Sequence, residues 1–286
     1  MQKNDIIVSS ASGYSFNQLE CWAKSIRQSG FEGEAYLVLY DDDPAIASSM
    51  NELGINIFSP KANHLGNYAP DVVVDRFYQK WVLINDIGRR NINRVISTDV
   101  HDVVFQSNPT AWLDENLGSY KLFVTSEGIA YKDEPWGREN FKKCFGTEIW
   151  NSGIPDRSIF NCGVWGGVSE YVADMFLMIY LIGFGHPMHL IGQRPSARWT
   201  DQATLNLISH LSLFRSDVKF IKSEDGFAAQ LGTILAPGTG FSEFLNEPRP
   251  VVRNGEVFTA SGQKYVVVHQ YNRVPELREQ LMNRYK

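Results

Sequence analysis

Arg94-Val95-Ile96-Ser97-Thr98-Asp99-Val100-His101-Asp102-Val103-Val104-Phe105-Gln106 is the stretch that decides how this chain reads. Val95 and Ile96 run into a polar cluster, and apolar character resumes at Val103, Val104 and Phe105. A short apolar run of this kind reads as a buried strand. The acids then stand where a strand leaves the core. Two carboxylates and an imidazole there are costly to bury unless a cation satisfies them. Aspartate oxygens suit Mg²⁺ or Mn²⁺, and histidine suits Mn²⁺ or softer ions. The blander reading is a pair of surface turn acids.

Ahead of this stretch the pattern alternates between strand and helix. Ile6-Ile7-Val8 reads as a strand, residues 9–15 as a small-residue loop, and Leu19, Trp22, Ala23 and Ile26 as a helix stopped at Gly30. A strand over 35–40, a helix through Ile46, Met50 and Leu53, and a strand over 55–58 follow. After a loop over 61–70, Val74, Phe77, Tyr78, Trp81, Val82 and Ile84 mark a longer helix that leads into the acidic stretch. Such alternation predicts a parallel, doubly wound sheet. Ligands of open α/β sheets bind outside the carboxyl ends of the strands, which puts loop 9–15 and the acids at 99–102 on one rim. Asp41-Asp42-Asp43 is expected to be a solvated turn and helix start, since Pro44 follows.

The second half is less regular. Strands are expected over 122–125, 218–221 and 265–268, residues 160–168 show apolar positions punctuated by glycines, and helices are expected over 170–184 and from Thr200, with Thr200 as N-cap. The segment with Trp136, Phe141, Phe145, Ile149 and Trp150 reads as loop-rich. No repeat, low-complexity segment or linker is evident, so one domain over 1–286 is expected.

Composition narrows the classes. The 286 residues are 43% apolar and 13% aromatic, enough to fill a sizeable core. A net charge of −5 argues against nonspecific nucleic-acid binding, which needs a basic footprint. Cys21, Cys144 and Cys162 form no CxxC, which disfavours a disulfide framework or cysteine zinc site and suits a reducing compartment. The longest apolar stretch, 171–185, contains Asp174 and falls short of the ~20 residues of a membrane span. With no signal-peptide h-region, the expectation is a cytoplasmic protein without a span in this chain. Dinucleotide, P-loop, hydrolase-elbow and zincin motifs do not occur.

Several residues carry candidate chemistry. In extended geometry residues two apart face the same way, so Asp99 pairs with His101; if the chain bends, Asp99 pairs with Asp102. His269 follows the strand at 265–268 and offers a further ligand nitrogen. Arg273, and Arg76 and Lys80 on one helix face, can meet phosphate, though solvated faces are the commoner fate of such cations. Asn161 with Gly163, Gly166 and Gly167 offers amide groups or a packed bend. Asp201-Gln202 at a helix start suits a sugar or, more simply, the helix dipole. Trp165 and Trp199 suit a sugar face or the core. His186 and His189 receive no role.

The order of these pieces resembles the GT-A glycosyltransferases, in particular glycosyltransferase family 8 and its relatives with an acidic DxD motif. The matching pieces are Ser10-Ala11-Ser12 after the first strand, the acidic strand end over 98–105, Asn161-Cys162-Gly163-Val164-Trp165-Gly166-Gly167, Asp201-Gln202 and His269. The resemblance implies a mixed, mostly parallel, Rossmann-like α/β sheet flanked by helices. It implies a nucleotide-binding half over 1–110 and an acceptor-binding half over 111–286. Ser10, Ala11, Ser12, Arg76, Lys80, Thr98, Asp99, Asn161, Gly163 and Arg273 would hold the donor. Asp99, Asp102 and His269 would hold Mn²⁺ or Mg²⁺, and Asp201 and Gln202 would serve the reaction. This sequence reads Asp99-x-x-Asp102 instead of a strict DxD, and Asp99-Val100-His101 is the alternative ligand alignment. The implied activity is metal-dependent transfer from a UDP- or GDP-type sugar to a glycan or other hydroxyl acceptor, favoured as retaining. Alternatives are a sugar-1-phosphate nucleotidyltransferase, against which the lack of Lys or Arg in 9–15 counts, and a carbohydrate-binding protein without turnover.

Overall fold

The computed structural model describes residues 4–61, 72–184, 200–211, 213–235 and 243–285. In the first part β1 (Asn4–Ala11), α1 (Phe16–Gln28), β2 (Glu34–Leu39), α2 (Pro44–Glu52), β3 (Ile55–Phe58), α3 (Val72–Ile87) and β4 (Ile92–Thr98) alternate as the sequence pattern expects. Local signals set the boundaries. Gln18 reaches back to the Ser15 N–H at 3.0 Å and closes the start of α1. Asp43 caps α2 by accepting from the Ala45 and Ile46 N–H groups, with Pro44 in the first turn.

Then come β5 (Val103–Phe105), α4 (Pro109–Asn116), β6 (Leu122–Ala130), α5 (Pro135–Asn151), β7 (Ser158–Val168), α6 (Ser169–Phe184), α7 (Thr200–Leu211), β8 (Val218–Ile221), β9 (Ala228–Gln230), the single turn α8 (Leu231–Ile234), β10 (Val251–Arg253), β11 (Glu256–Phe258), β12 (Val267–His269) and α9 (Pro275–Tyr285). Seven strands form one sheet in the order β3-β2-β1-β4-β7-β6-β8. All its pairings are parallel except those made by β7, which runs antiparallel to β4 and β6. The order reverses at β1, with β2 on one side and β4 on the other. That switch point opens a crevice at the carboxyl ends of β1 and β4.

Strand alternation divides the core. Ile7, Leu37 and Ile96 face α1, α2 and α4, while Ile6, Val8 and Val95 face α3, α6 and α7. Close packing of β7 on β4 depends on glycine. A Cβ on Gly166 would lie 2.2 Å from the Val95 carbonyl oxygen, so no side chain fits there.

Four expectations need correction. The first strand continues through Ser9, Ser10 and Ala11, because β2 pairs with it out to Ala11↔Leu39. The segment read as loop-rich is α5, kinked at Gly146 (φ 81°), and its aromatics escaped a periodic reading because the kink resets their phase. Thr200 is the first helical residue of α7, not an N-cap outside it. The strand expected over 265–268 is Val267–His269, so His269 ends it instead of following it, and it is the middle of a small sheet ordered β5-β12-β9. The loop expected over 61–70 is described only at Lys61, and Trp199, His186 and His189 lie outside the described residues.

Among the described residues no helix is long and apolar enough to cross a membrane.

One buried histidine makes the fold acid-sensitive. His210 on α7 lies flat on Phe220, ring centroids 5.3 Å apart, and its Nε2 bonds the Ser158 carbonyl at 3.1 Å. Burial pushes its pKa down to about 4. The unfolded chain therefore binds a proton below about pH 6.5 that the folded chain refuses until about pH 4, so stability falls with acid across that window. The full cost is on the order of 3 kcal/mol. Urea unfolding of wild type and His210→Gln from pH 7 to pH 4 should show the wild type losing that much more stability than the variant.

Candidate active site

The backbone ends β4 at Thr98, turns through residues 99–102 and starts β5 at Val103. That bend brings Asp99 and Asp102 to one point. With His269 they offer ligand atoms that all lie within 4.8 Å of one another. β12 supplies the third member by pairing antiparallel with β5, His269 opposite Val103. The Gln270 N–H donates to the Asp102 carbonyl at 2.8 Å and ties the two segments. Gln270 itself has a left-handed backbone (φ 61°), an uncommon state for a non-glycine residue, and its side chain is held by the Gly232 N–H at 2.9 Å.

His269 Nε2 stands 3.5 Å from Asp99 Oδ2 and 3.5 Å from Asp102 Oδ1. Burial disfavours its charged form, but Asp102 and Asp99 outweigh burial and push its pKa up to about 9. Asp99 shows the reverse. Burial raises its pKa, while the His269 imidazole and the Arg76 guanidinium beside it hold the carboxyl well below the usual range. Asp102 Oδ1 is buried and accepts no hydrogen bond. A buried oxygen left in that state, beside a second carboxylate and an imidazole nitrogen, is a donor set that fits a hard divalent cation.

His101 borders this cluster, its Nδ1 3.6 Å from Asp102 Oδ1, without joining the three mutually close groups. Its ring stacks on Tyr14, centroids 5.0 Å apart and planes 14° off parallel, and its Nε2 lies 3.2 Å from Asn272 Nδ2. Of the two pairings the sequence left open, the backbone makes the bent one, Asp99 with Asp102.

β7 closes the other side. The Asp99 N–H donates to the Gly163 carbonyl at 2.8 Å. A Cβ on Gly163 would lie 2.3 Å from His269 Cε1 and 2.8 Å from Asp99 Oδ2, so glycine is what lets the strand pass this close. Asn161 is locked: its Oδ1 accepts from the Gly163 N–H at 2.6 Å and its Nδ2 donates to Glu127 at 2.7 Å.

Arg76 on α3 joins two acids. It lies 3.3 Å from Asp99 and 2.6 Å from Asp201. Asp201 is 12% exposed; burial raises its pKa, with Arg76 and the Gln202 N–H pulling the other way. Gln202 Oε1 accepts weakly from the Cys162 N–H at 3.4 Å. Lys80, one turn beyond Arg76, points into the interior. It is 3% exposed and bonds Ser97 at 3.2 Å, and burial together with Arg76 pushes its pKa down to about 7. Thr98 also faces inward, its hydroxyl accepting from the Trp22 indole at 3.0 Å. Trp165 is fully buried against Phe176, which removes it as a sugar platform.

Two cavities meet at Asp99 and Arg76. A smaller one, about 180 Å³, is lined by Ser10, Ala11, Ser12, Tyr14 and His101. A larger one, about 910 Å³, takes in Asn161, Gly163, Asp201, Gln202, His269 and Arg273. Glu127, Glu134 and Trp136 also line it, and none of them carries a periodic or motif signal in the sequence.

No protein-family model matches this chain, and no curated protein matches it in sequence. Among solved structures it is similar to WbbM, described as a bifunctional glycosyltransferase in its apo form, with a TM-score of 0.59, 13% identity, and 94% of this chain covered. The chain spans 46% of the WbbM chain it matches. It is also similar to the galactosyltransferase LgtC, solved in complex with donor and acceptor sugar analogues, with a TM-score of 0.54 and 14% identity over 98% of this chain and 96% of that one. At these identities the likeness is one of fold: the chain has the mixed, mostly parallel GT-A architecture of these glycosyltransferases.

Gly163→Ala tests the packing. The added methyl should displace His269 or Asp99 and lower stability by roughly 1–3 kcal/mol. Urea unfolding measures the loss, and a shifted His269 ring resonance should accompany it.

Proposed function

We propose that this chain is a divalent-metal-dependent glycosyltransferase that moves a sugar from a nucleotide-diphosphate sugar, of UDP or GDP type, to a hydroxyl of a glycan or other acceptor. The observation that carries this reading is the Asp99–Asp102–His269 cluster, placed where the two cavities meet. Asp99, Asp102 and His269 would hold Mn²⁺ or Mg²⁺. Such an ion supplies Lewis-acid stabilisation of charge on a leaving diphosphate.

The chain's own residues divide the remaining work. Residues 1–110 hold the donor: Ser10, Ala11 and Ser12 border the smaller cavity, which suits a nucleoside. Residues 111–286 hold the transferred sugar and the acceptor in the larger cavity. Arg76 sets a fixed cation beside the diphosphate and keeps Asp201 in place through its 2.6 Å contact. Arg273 adds a second cation at the wall of the larger cavity. Lys80 contributes from behind Arg76 without touching the donor, since it does not line either cavity. Asp201 and Gln202 at the start of α7 face the reacting sugar, where positive charge develops at the anomeric carbon. We propose retention of configuration on the resemblance of Asp201-Gln202 and His269 to the family 8 pattern, with Asp201-Gln202 on the reacting face.

A thermal-shift panel of nucleotide sugars, each with Mn²⁺ and with EDTA, tests the reading. A ligand that binds only the folded state stabilises it by about 2.7 kcal/mol at a hundredfold excess over Kd. One nucleotide class should raise the melting temperature in a metal-dependent way. Asp102→Ala and His269→Ala should each lose the metal-dependent part while remaining folded. Pyrophosphate release from a nucleoside triphosphate and a sugar phosphate would instead identify a nucleotidyltransferase. A shift with free glycans alone would identify a carbohydrate-binding protein.

Asp201→Asn should lower kcat for transfer on the order of 10²-fold with little change in the metal-dependent thermal shift, as measured by steady-state transfer kinetics beside the same panel.

A further inference from the structure

We propose that Gln230 is a positioning residue that fixes the tautomer and direction of His269, so that Nε2 is the nitrogen offered to the Asp99–Asp102 pair. This rests on the metal-site reading above and adds to it a residue outside the ligand set.

The Val164 carbonyl is a group with no freedom. A backbone carbonyl can only accept. The Thr125 hydroxyl lies 2.7 Å from the Val164 carbonyl oxygen, so the hydroxyl hydrogen is donated there. Thr125 Oγ1 is then left as an acceptor for its other neighbour, Gln230 Nε2, at 2.8 Å. That contact orients the Gln230 amide, with its NH₂ toward Thr125 and its Oε1 toward His269. Gln230 Oε1 lies 2.6 Å from His269 Nδ1, and an amide oxygen there requires Nδ1 to carry hydrogen. Nε2 is therefore the nitrogen free to face the two carboxylates, 3.5 Å from each. The assignment runs Val164 to Thr125 to Gln230 to His269, and each link leaves one choice for the next.

The backbone makes the relay rigid. Gln230 and His269 are register partners in the parallel β9–β12 pair. Thr125 and Val164 lie on adjacent strands, β6 and β7, of the central sheet. Gln230 is 1% exposed and Thr125 fully buried, so water does not compete for these bonds. The relay thus joins the central sheet to the small sheet through the side chain that orients the ligand. Second groups of this kind typically change metal affinity 10–100-fold when removed.

The test measures Mn²⁺ binding to the full chain by electron paramagnetic resonance, using the metal alone. Gln230→Leu, close in size but without an acceptor, should weaken Mn²⁺ binding by roughly 10–100-fold. Gln230→Glu still accepts from Nδ1–H and should bind Mn²⁺ more tightly than Gln230→Leu. In ¹⁵N-edited spectra of the Mg²⁺-loaded chain, where the ion would stand in place of a proton on Nε2, the His269 Nδ1–H proton should be slow to exchange in wild type and in Gln230→Glu, and lost in Gln230→Leu. A merely structural role would not restore that signal in the glutamate variant alone. Unchanged Mn²⁺ affinity in a folded Gln230→Leu, or a persistent Nδ1–H signal there, overturns the proposal while leaving the metal site standing. Failure of wild type to bind Mn²⁺ overturns the metal reading and this inference together.

Discussion

Two carboxylates that face one another at the end of a strand repel. With Asp99, Asp102 and His269 atoms all within 4.8 Å, the repulsion between the two charges is on the order of 3–4 kcal/mol at a protein-like effective dielectric. The fold holds them there only by surrounding them with positive or proton-donating groups. Arg76 takes one oxygen of Asp99, and the His269 ring stands between the two acids. Asp102 Oδ1 keeps its lone pairs free of hydrogen bonds. The cluster is a concentrated negative site whose own geometry calls for a cation.

Most of the unusual features nearby serve that constraint. Gly163 has no side chain because the imidazole and a carboxylate occupy the space a Cβ would need. Gln270 accepts a left-handed backbone at the point where the chain leaves His269 and bonds back to the Asp102 carbonyl. Gln230 bonds the back of the imidazole and is itself held by Thr125. Buried polar groups fully paired in this way rigidify what they touch. Arg76 extends the network across the cavity to Asp201, so the acids at the two ends of the site share one guanidinium.

The sheet topology places the site. The reversal of strand order at β1 opens a crevice beside β4, and β7 runs back along β4 to put Asn161 and Gly163 against it. The small β5-β12-β9 sheet then folds the C-terminal part of the chain over the same rim. Three regions far apart in sequence, near residues 99, 163 and 269, meet because β4 and β12 end at one rim and β7 runs past it at Gly163.

The sequence by itself determined the alternating first half, the strand before Asp99 and the class of sheet. Those features are local: period-two and helical apolar patterns and turn residues such as Asp43-Pro44 act over a few residues. It also pointed to Asp99, Asp102, His269, Asn161 and Asp201 as residues with chemistry to offer, though not to how they meet. Tertiary structure decided the rest. It brought Asp99, Asp102 and His269 together, because the chain bends after Thr98, and stacked the His101 ring on Tyr14 beside them. It turned Lys80 and Thr98 inward, where helix periodicity and strand alternation leave the direction of a polar side chain open. It made a kinked helix of the segment after Pro135, whose apolar phase Gly146 interrupts. Above all it set Gln230 beside His269. That contact depends on a strand pairing 39 residues apart, and no pattern within either strand encodes it.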